Sequence, residues 1–222
     1  MKSAGSETIN RGAVRHLKKV DPVMAEVIAS VGRFKGWPAS SGTHFDAVAR
    51  SIVFQQLSGK AAGTIHGRFH GLYGGRPPLP AELAATPDEH LRSVGLSRQK
   101  SAYLKDLGAR VAGGELPIET LHELTDEEII TSLTQVKGIG RWTAQMFMMF
   151  RLGRPDVLPD LDLGIQKGIR RAYHLRKVPT PERVKKIGAK WAPHRTVASW
   201  YLWRYLDTVA NAPRPPGRKA GS

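Results

Sequence analysis

The stretch LTQVKGIGRWTAQMF, residues 133–147, decides the fold. It reads as a helix, a tight turn and a second helix. Gly138 and Gly140, one residue apart, let the backbone turn sharply and come close to a neighbour. The second helix begins near Arg141, so the N–H groups of its first turn point into the turn. Such a helix start attracts anions. A lone Gly-x-Gly is weak, and a purely structural turn between helices would look alike. The flanks sharpen the reading: apolar Val136 precedes the first glycine by two positions, and Arg141-Trp142-Thr143-Ala144 follow the second.

Working outward, the rest of the chain is punctuated the same way. Asp21-Pro22, Thr86-Pro87 and Thr180-Pro181 each pair a helix N-cap with proline at the first helical position. Thr86 with Glu89, and Thr125 with Glu128, read as capping boxes. Behind these signals, apolar residues recur at helical spacing, as in Phe45, Val48, Ile52, Val53 and Leu57, or Leu104, Leu107 and Val111. No alternating β segment and no Asn-Gly hairpin turn is found. The expected fold class is all-α, with roughly ten short helices.

The 222 residues are enough for one large domain or two small lobes. No apolar run is long enough to cross a membrane. The N-terminus lacks the apolar segment of a secretory signal, so the chain is not expected to be secreted. Cysteine is absent, which excludes disulfides, thiolate catalysis and iron–sulfur clusters. Lys and Arg number 34 against 19 Asp and Glu, a net +15 that points to a polyanion, with nucleic acid as the default. The excess concentrates in Lys167, Arg170, Arg171, Arg176, Lys177, Arg183, Lys185, Lys186, Lys190 and Arg195, against Glu182 alone. This reads either as a solvated helix face or, better, as a surface that meets phosphates. Residues 1–12 and 211–222 read as flexible tails, the second basic.

The hairpin resembles the helix-hairpin-helix phosphate clamp of DNA repair proteins. Farther on stands DVLPDLDLGIQKG, residues 156–168. A helix-hairpin-helix followed by a Gly/Pro loop and an Asp is similar to the HhH-GPD DNA glycosylases. Within them the chain resembles the alkylated-base branch, 3-methyladenine DNA glycosylase II (AlkA-type), in a short form without the N-terminal β-rich domain. DPVMAEVI at 21–28, FDAVARSIVFQQLSGKAA at 45–62, LRSVGLSRQKSAYLKDLG at 91–108 and WAPHRTVASWYLW at 191–203 agree in order and spacing.

The resemblance implies two helical lobes around a cleft that holds the catalytic Asp. One lobe is continuous over 41–155, and the other combines 13–40 with 156–210. It implies excision of alkylated bases such as 3-methyladenine and 7-methylguanine from double-stranded DNA by base flipping. Motif position makes Asp162 the catalytic carboxylate, which stabilises an oxocarbenium-like transition state and directs water. Asp160 is left as a helix cap or a solvated neighbour. Lys137, Gly138, Gly140, Arg141 and Thr143 grip the DNA backbone. Leu57, or Gln56, fills the hole left by the flipped base, although Leu57 would also suit the core.

Cationic alkylated bases stack well on aromatic faces. Trp142 and Trp200 match pocket positions, with Phe54 beside them. Met146 stands where a relative has Tyr, which puts the lesion range in doubt. Trp191 and Trp203 read as core. Trp142 also occupies the place of the Schiff-base lysine of bifunctional members, so no lyase step is expected. No cofactor is expected for catalysis. A structural Na+ or K+ on the main-chain carbonyls of Thr134, Val136 and Ile139 is implied by the family alone. His66 and His70 sit at helical spacing, but no third metal ligand stands near them in sequence, so they read as surface or core histidines. A monomer is expected, cytoplasmic in a bacterium or nuclear in a eukaryote. The alternatives are a glycosylase for hypoxanthine, ethenoadenine or uracil, and a non-catalytic helix-hairpin-helix DNA-binding module.

Overall fold

A computed structural model describes residues 4–37 and 42–210. Among them every regular element is helical, and none is long and apolar enough to cross a membrane. The chain divides into two compact units, residues 1–37 with 154–222, and residues 38–153. The expected basic tail over 211–222 lies outside the described residues.

The first unit holds α1 (Ala4–Val20), α2 (Pro22–Val31), α10 (Leu163–Ala172), α11 (Pro181–Gly188) and α12 (Arg195–Ala210). Of the expected tail over 1–12, residues 1–3 lie outside the described residues, and α1 begins at Ala4. Leu17, Met24, Ile165, Ile169, Trp191 and Tyr201 pack into its core. At their centre lies Asp21, fully buried. It caps α2, accepting the Val23 N–H at 3.1 Å. Its Oδ2 accepts from Trp191 Nε1 at 2.8 Å and from the Tyr173 hydroxyl, and lies 3.2 Å from Lys190 Nζ. Burial works against the charge of Asp21. The hydrogen bonds from Tyr173, Trp191 and Lys190 together outweigh it and hold the carboxyl below its ordinary value. Tyr173 is correspondingly pushed far up, by burial first and then by Asp21.

The second unit holds α3 (His44–Phe54), α4 (Gly59–Gly71), α5 (Pro80–Ala85), α6 (Asp88–Ser93), α7 (Arg98–Ala112), α8 (Asp126–Thr134) and α9 (Arg141–Phe150). Its buried apolar positions, Phe45, Val48, Ile52, Leu104 and Leu107 among them, follow the stripes read from sequence. Gly108 lets α5 lie directly on α7: a Cβ there would come within 2.8 Å of the Pro80 carbonyl oxygen. The capping box Thr125–Glu128 opens α8. Thr86–Pro87 does not open α6, a correction. The cap of α6 is Pro87, and the Thr86 hydroxyl turns back to the Glu82 carbonyl at 2.7 Å and to the Tyr73 hydroxyl at 2.8 Å. A hydroxyl that closes the end of α5 is not available to start the next helix.

Candidate functional site

The hairpin is built in the second unit. Helix α8 ends at Thr134, and α9 starts behind Gly140, whose backbone is extended and which has no side chain to cap it. The first turn of α9 therefore takes no cap from the residue before it, which suits an external anion. Gly138 has φ +79°, and a Cβ there would lie inside the ring of Tyr103. Both the left-handed backbone and the close approach require glycine.

The turn is anchored from behind. The Lys137 N–H donates to Asp106 Oδ2 at 2.9 Å. Gln55 Nε2 donates to the Gly138 carbonyl at 2.9 Å. Lys100 Nζ donates to the carbonyls of Val53 and Gln55, at 2.7 Å each. Burial lowers the pKa of Lys100 from its ordinary value. The loop Gln55–Ser58 is thus tied both to α7 and to the hairpin. Gln55 and Lys100 were missed in sequence, since nothing in their spacing shows that distant carbonyls need donors.

The loop presents the wedge candidates outward. Leu57 is 39% exposed and so is not a core residue, despite its place on the apolar stripe. Gln56, also exposed, takes φ +56°. The two basic hairpin side chains are not bare charges. Arg141 forms a fork with Glu127, at 2.9 and 3.2 Å, and Lys137 Nζ lies 3.8 Å from Asp106 Oδ1.

The pocket candidates part company. Trp142 is 42% exposed, and Met146 and Thr143 are half-buried. Phe54 is half-buried, with the Arg50 guanidinium over its ring at 4.0 Å from the centroid and the His66 ring edge-on at 5.9 Å. Trp200 stands apart from the other pocket candidates. It is 4% exposed, set edge-to-face against Phe34 and Tyr201 in the core of the first unit, and offers no open face to a base.

Asp162 lies in the first unit as the N-cap of α10. Its Oδ1 accepts the Ile165 N–H at 2.8 Å and Trp203 Nε1 at 2.9 Å. The carboxylate is half-buried, at the positive end of the helix dipole. Trp203 is no simple core residue: it is partly buried, and Trp37 stands edge-on to it at 6.0 Å. Asp160 is neither a cap nor solvated, another correction. It is 3% exposed and lies 3.3 Å from Lys185 Nζ.

The chain leading to this loop is pinned to the start of α12. Arg195 grips both oxygens of Asp156 at 2.7 Å, and the Thr196 hydroxyl donates to the Arg154 carbonyl at 2.6 Å while accepting the Val157 N–H at 3.0 Å. The basic stretch is therefore mixed in role. Lys185, Lys190 and Arg195 hold Asp160, Asp21 and Asp156. Lys167, Arg170, Arg171, Arg176, Lys177, Arg183 and Lys186 are exposed.

This arrangement has known counterparts. A family model described as HhH-GPD superfamily base excision DNA repair protein matches residues 49–194. The chain is 36% identical over 192 residues to DNA-3-methyladenine glycosylase 1 of Schizosaccharomyces pombe, covering 85% of this chain and 84% of that one. Among solved structures it is similar to the S. pombe 3-methyladenine DNA glycosylase in complex with abasic DNA, with TM-score 0.77, 37% identity, and coverage of 87% of this chain and 95% of that one. It is also similar to the DNA-3-methyladenine glycosidase of Bacillus halodurans, with TM-score 0.81, 36% identity, and coverage of 90% and 91%.

Proposed function

The chain belongs to the HhH-GPD superfamily of base excision DNA repair proteins, and from that premise we propose that it is a monofunctional DNA glycosylase that hydrolyses the glycosidic bond of alkylated bases such as 3-methyladenine and 7-methylguanine in duplex DNA. The observation that carries this reading is the Asp162 carboxylate, fixed through one oxygen by two N–H donors at the start of α10. A helix cap alone accounts for the Ile165 N–H, and the Trp203 indole donor in addition fixes the orientation of the carboxylate.

The hairpin holds the phosphodiester backbone through the first turn of α9 and positions the DNA without reading sequence. Leu57, with Gln56 beside it, enters the stack as the base leaves it. Trp142 stacks on the extruded cationic base, and Met146 one turn on gives a softer wall. As the C1′–N bond breaks, positive charge grows on the sugar. Asp162 meets that charge and directs water to C1′. The base departs with the bonding electrons, water supplies the new C1′–O bond, and its proton leaves through the carboxylate.

A monovalent cation at the turn fits the donor set. Thr134 ends α8, where carbonyls lack intrahelical partners, and the Val136 carbonyl, which accepts the Ile139 N–H at 3.1 Å, retains a second lone pair. With the Ile139 carbonyl these would hold the ion, which would add positive charge beside the phosphate. The protein acts as a monomer on double-stranded DNA.

The test is incubation with methylated duplex DNA, scoring released bases, strand breaks without heat or alkali, and borohydride trapping. Free 3-methyladenine or 7-methylguanine with intact strands and no covalent adduct is the expected result. A trapped protein–DNA adduct at the level of a lyase would overturn the monofunctional reading. Release confined to hypoxanthine, ethenoadenine or uracil from matched duplexes would overturn the substrate class.

A further inference from the structure

Helices α3 and α4 bring together three side chains that base excision does not use. Asp46 stands in the first turn of α3, and His66 and His70 lie one turn apart on α4. His70 Nε2 is 3.0 Å from Asp46 Oδ1, and His66 Nε2 is 3.9 Å from the same oxygen. The three potential ligand atoms all lie within 4.8 Å of one another. The two imidazole rings pack at 53° to each other, with centroids 4.1 Å apart. His70 and Asp46 alone would be an ordinary hydrogen-bonded pair. His66 is what that pairing does not explain: its Nε2 is buried and has no hydrogen-bond partner. A buried ring nitrogen 3.9 Å from a carboxylate oxygen, too far to bond it and with no other partner, is a costly arrangement unless something sits between them.

We infer that Asp46, His66 and His70 form a binding site for a divalent transition-metal ion of the zinc class, which pins α3 to α4. Ligand atoms at tetrahedral zinc distances stand roughly 3.3 Å from one another, between the two separations measured here. Two imidazoles and one carboxylate suit Zn2+, Co2+ or Ni2+ and leave a fourth position for water. Two histidines at i and i+4 present their rings from one helix face, and the carboxylate comes from the neighbouring helix. Arg50, four residues after Asp46, opposes a bound cation, but its guanidinium is drawn over the Phe54 ring. The ion would be structural. It would lock the two helices that flank the Gln55–Ser58 loop, so metal binding and base release report on different things. The two histidines stand out in the sequence but Asp46 does not, because it lies 20 residues before His66 and joins them only through the packing of α3 on α4.

The experiment uses the untagged chain stripped with chelator. Zn2+ is titrated by calorimetry and Co2+ by visible absorption, and melting is followed with and without metal. The expected result is one ion per chain, Co2+ bands of tetrahedral intensity, and a melting temperature raised by roughly 5–10 °C at metal concentrations a hundredfold above Kd. His66→Gln and His70→Gln should each weaken binding by tenfold or more. His122→Gln, which alters a histidine beside His44 instead, should leave it unchanged. Absence of saturable binding to the wild type, or wild-type affinity in His66→Gln, would overturn the assignment. Should His66→Gln melt early, the Co2+ spectrum taken below its melting temperature separates a lost ligand from a lost fold.

Discussion

Trp203 Nε1 donates to Asp162 Oδ1 at 2.9 Å, across 41 residues of chain. Gly164 makes room for this contact. A Cβ there would stand 2.8 Å from Trp203 Cδ1 and 2.9 Å from Asp162 Oδ1, so the indole lies against the bare start of α10. Trp203 is a positioning residue: it orients the carboxylate and supplies none of the reaction's atoms. Trp203→Phe keeps an aromatic, though smaller, ring and removes the donor. A hydrogen bond to a charged acceptor contributes about 1.5–3 kcal/mol, so single-turnover excision should fall by about 10- to 150-fold. Affinity for abasic DNA should stay within about twofold, because that interaction matters most when sugar charge develops. A wild-type rate in Trp203→Phe would mean that Asp162 holds its orientation unaided.

The two aspartates of the loop should separate stability from rate. Asp162→Asn keeps a capping oxygen, so the fold should persist while excision drops by about 10²–10³. Asp160→Asn removes, at a buried position, the negative charge that Lys185 meets. It should lower the melting temperature by several degrees, as loss of roughly 1–3 kcal/mol does in a chain of this size. At a temperature where it stays folded it should retain excision. The reverse pattern, with excision lost only in Asp160→Asn, would transfer the catalytic role by two residues.

Much of this was legible in the sequence, and the reasons differ by element. The hairpin was legible because its glycines, its charge and its flanking apolar residues are contiguous. The caps at Asp21, Thr125 and Thr180 were legible because a cap and its helix are neighbours in the chain. Thr86 misled because the same residue types close a helix as readily as they open one. Leu57 was ambiguous because a stripe counted along α3 does not show that the helix stops at Phe54. Trp200 and Trp203 could not be told apart by composition. Their roles depend on which of two adjacent turns of α12 faces the core and which faces the start of α10. Asp160 and Asp162 were separable only by motif, since burial of one and capping by the other are properties of the folded loop.

Asp21 gives the first unit a pH dependence whose sign follows from its lowered pKa. The folded carboxyl binds its proton less readily than the unfolded one, whose pKa is about 3.9. Its contribution to stability is therefore complete above that unfolded value and is lost as pH falls through the lower folded value. Asp21→Asn should lose ~3 kcal/mol at neutral pH, because Lys190 loses its counter-charge and the new amide NH2 must face donors, either the Val23 N–H or Tyr173 and Trp191 together. The difference in melting temperature between wild type and variant should shrink as pH falls below about 4. A difference that stays constant down to about pH 2 would show that Asp21 titrates alike in both states.

The charge count overstates the number of phosphates the protein can neutralise, because several cations already hold acids. Lys190 supports buried Asp21, whereas Arg170 is exposed on α10. Lys190→Ala should therefore lower the melting temperature and leave the salt dependence of DNA binding intact. Arg170→Ala should do the opposite if this face meets DNA. The hairpin pairs are weaker constraints. The Arg141–Glu127 fork is exposed, and an exposed pair contributes about 0–1 kcal/mol, so Arg141 can leave it for a phosphate at little cost. Lys137→Ala and Arg141→Ala should each weaken binding equally for all sequences and flatten the slope of log K against log salt by about 0.9. Glu127→Gln, which frees Arg141 from its partner, should tighten binding at low salt. Slopes unchanged from wild type in both Lys137→Ala and Arg141→Ala would mean that the start of α9, without its flanking cations, carries the whole backbone grip.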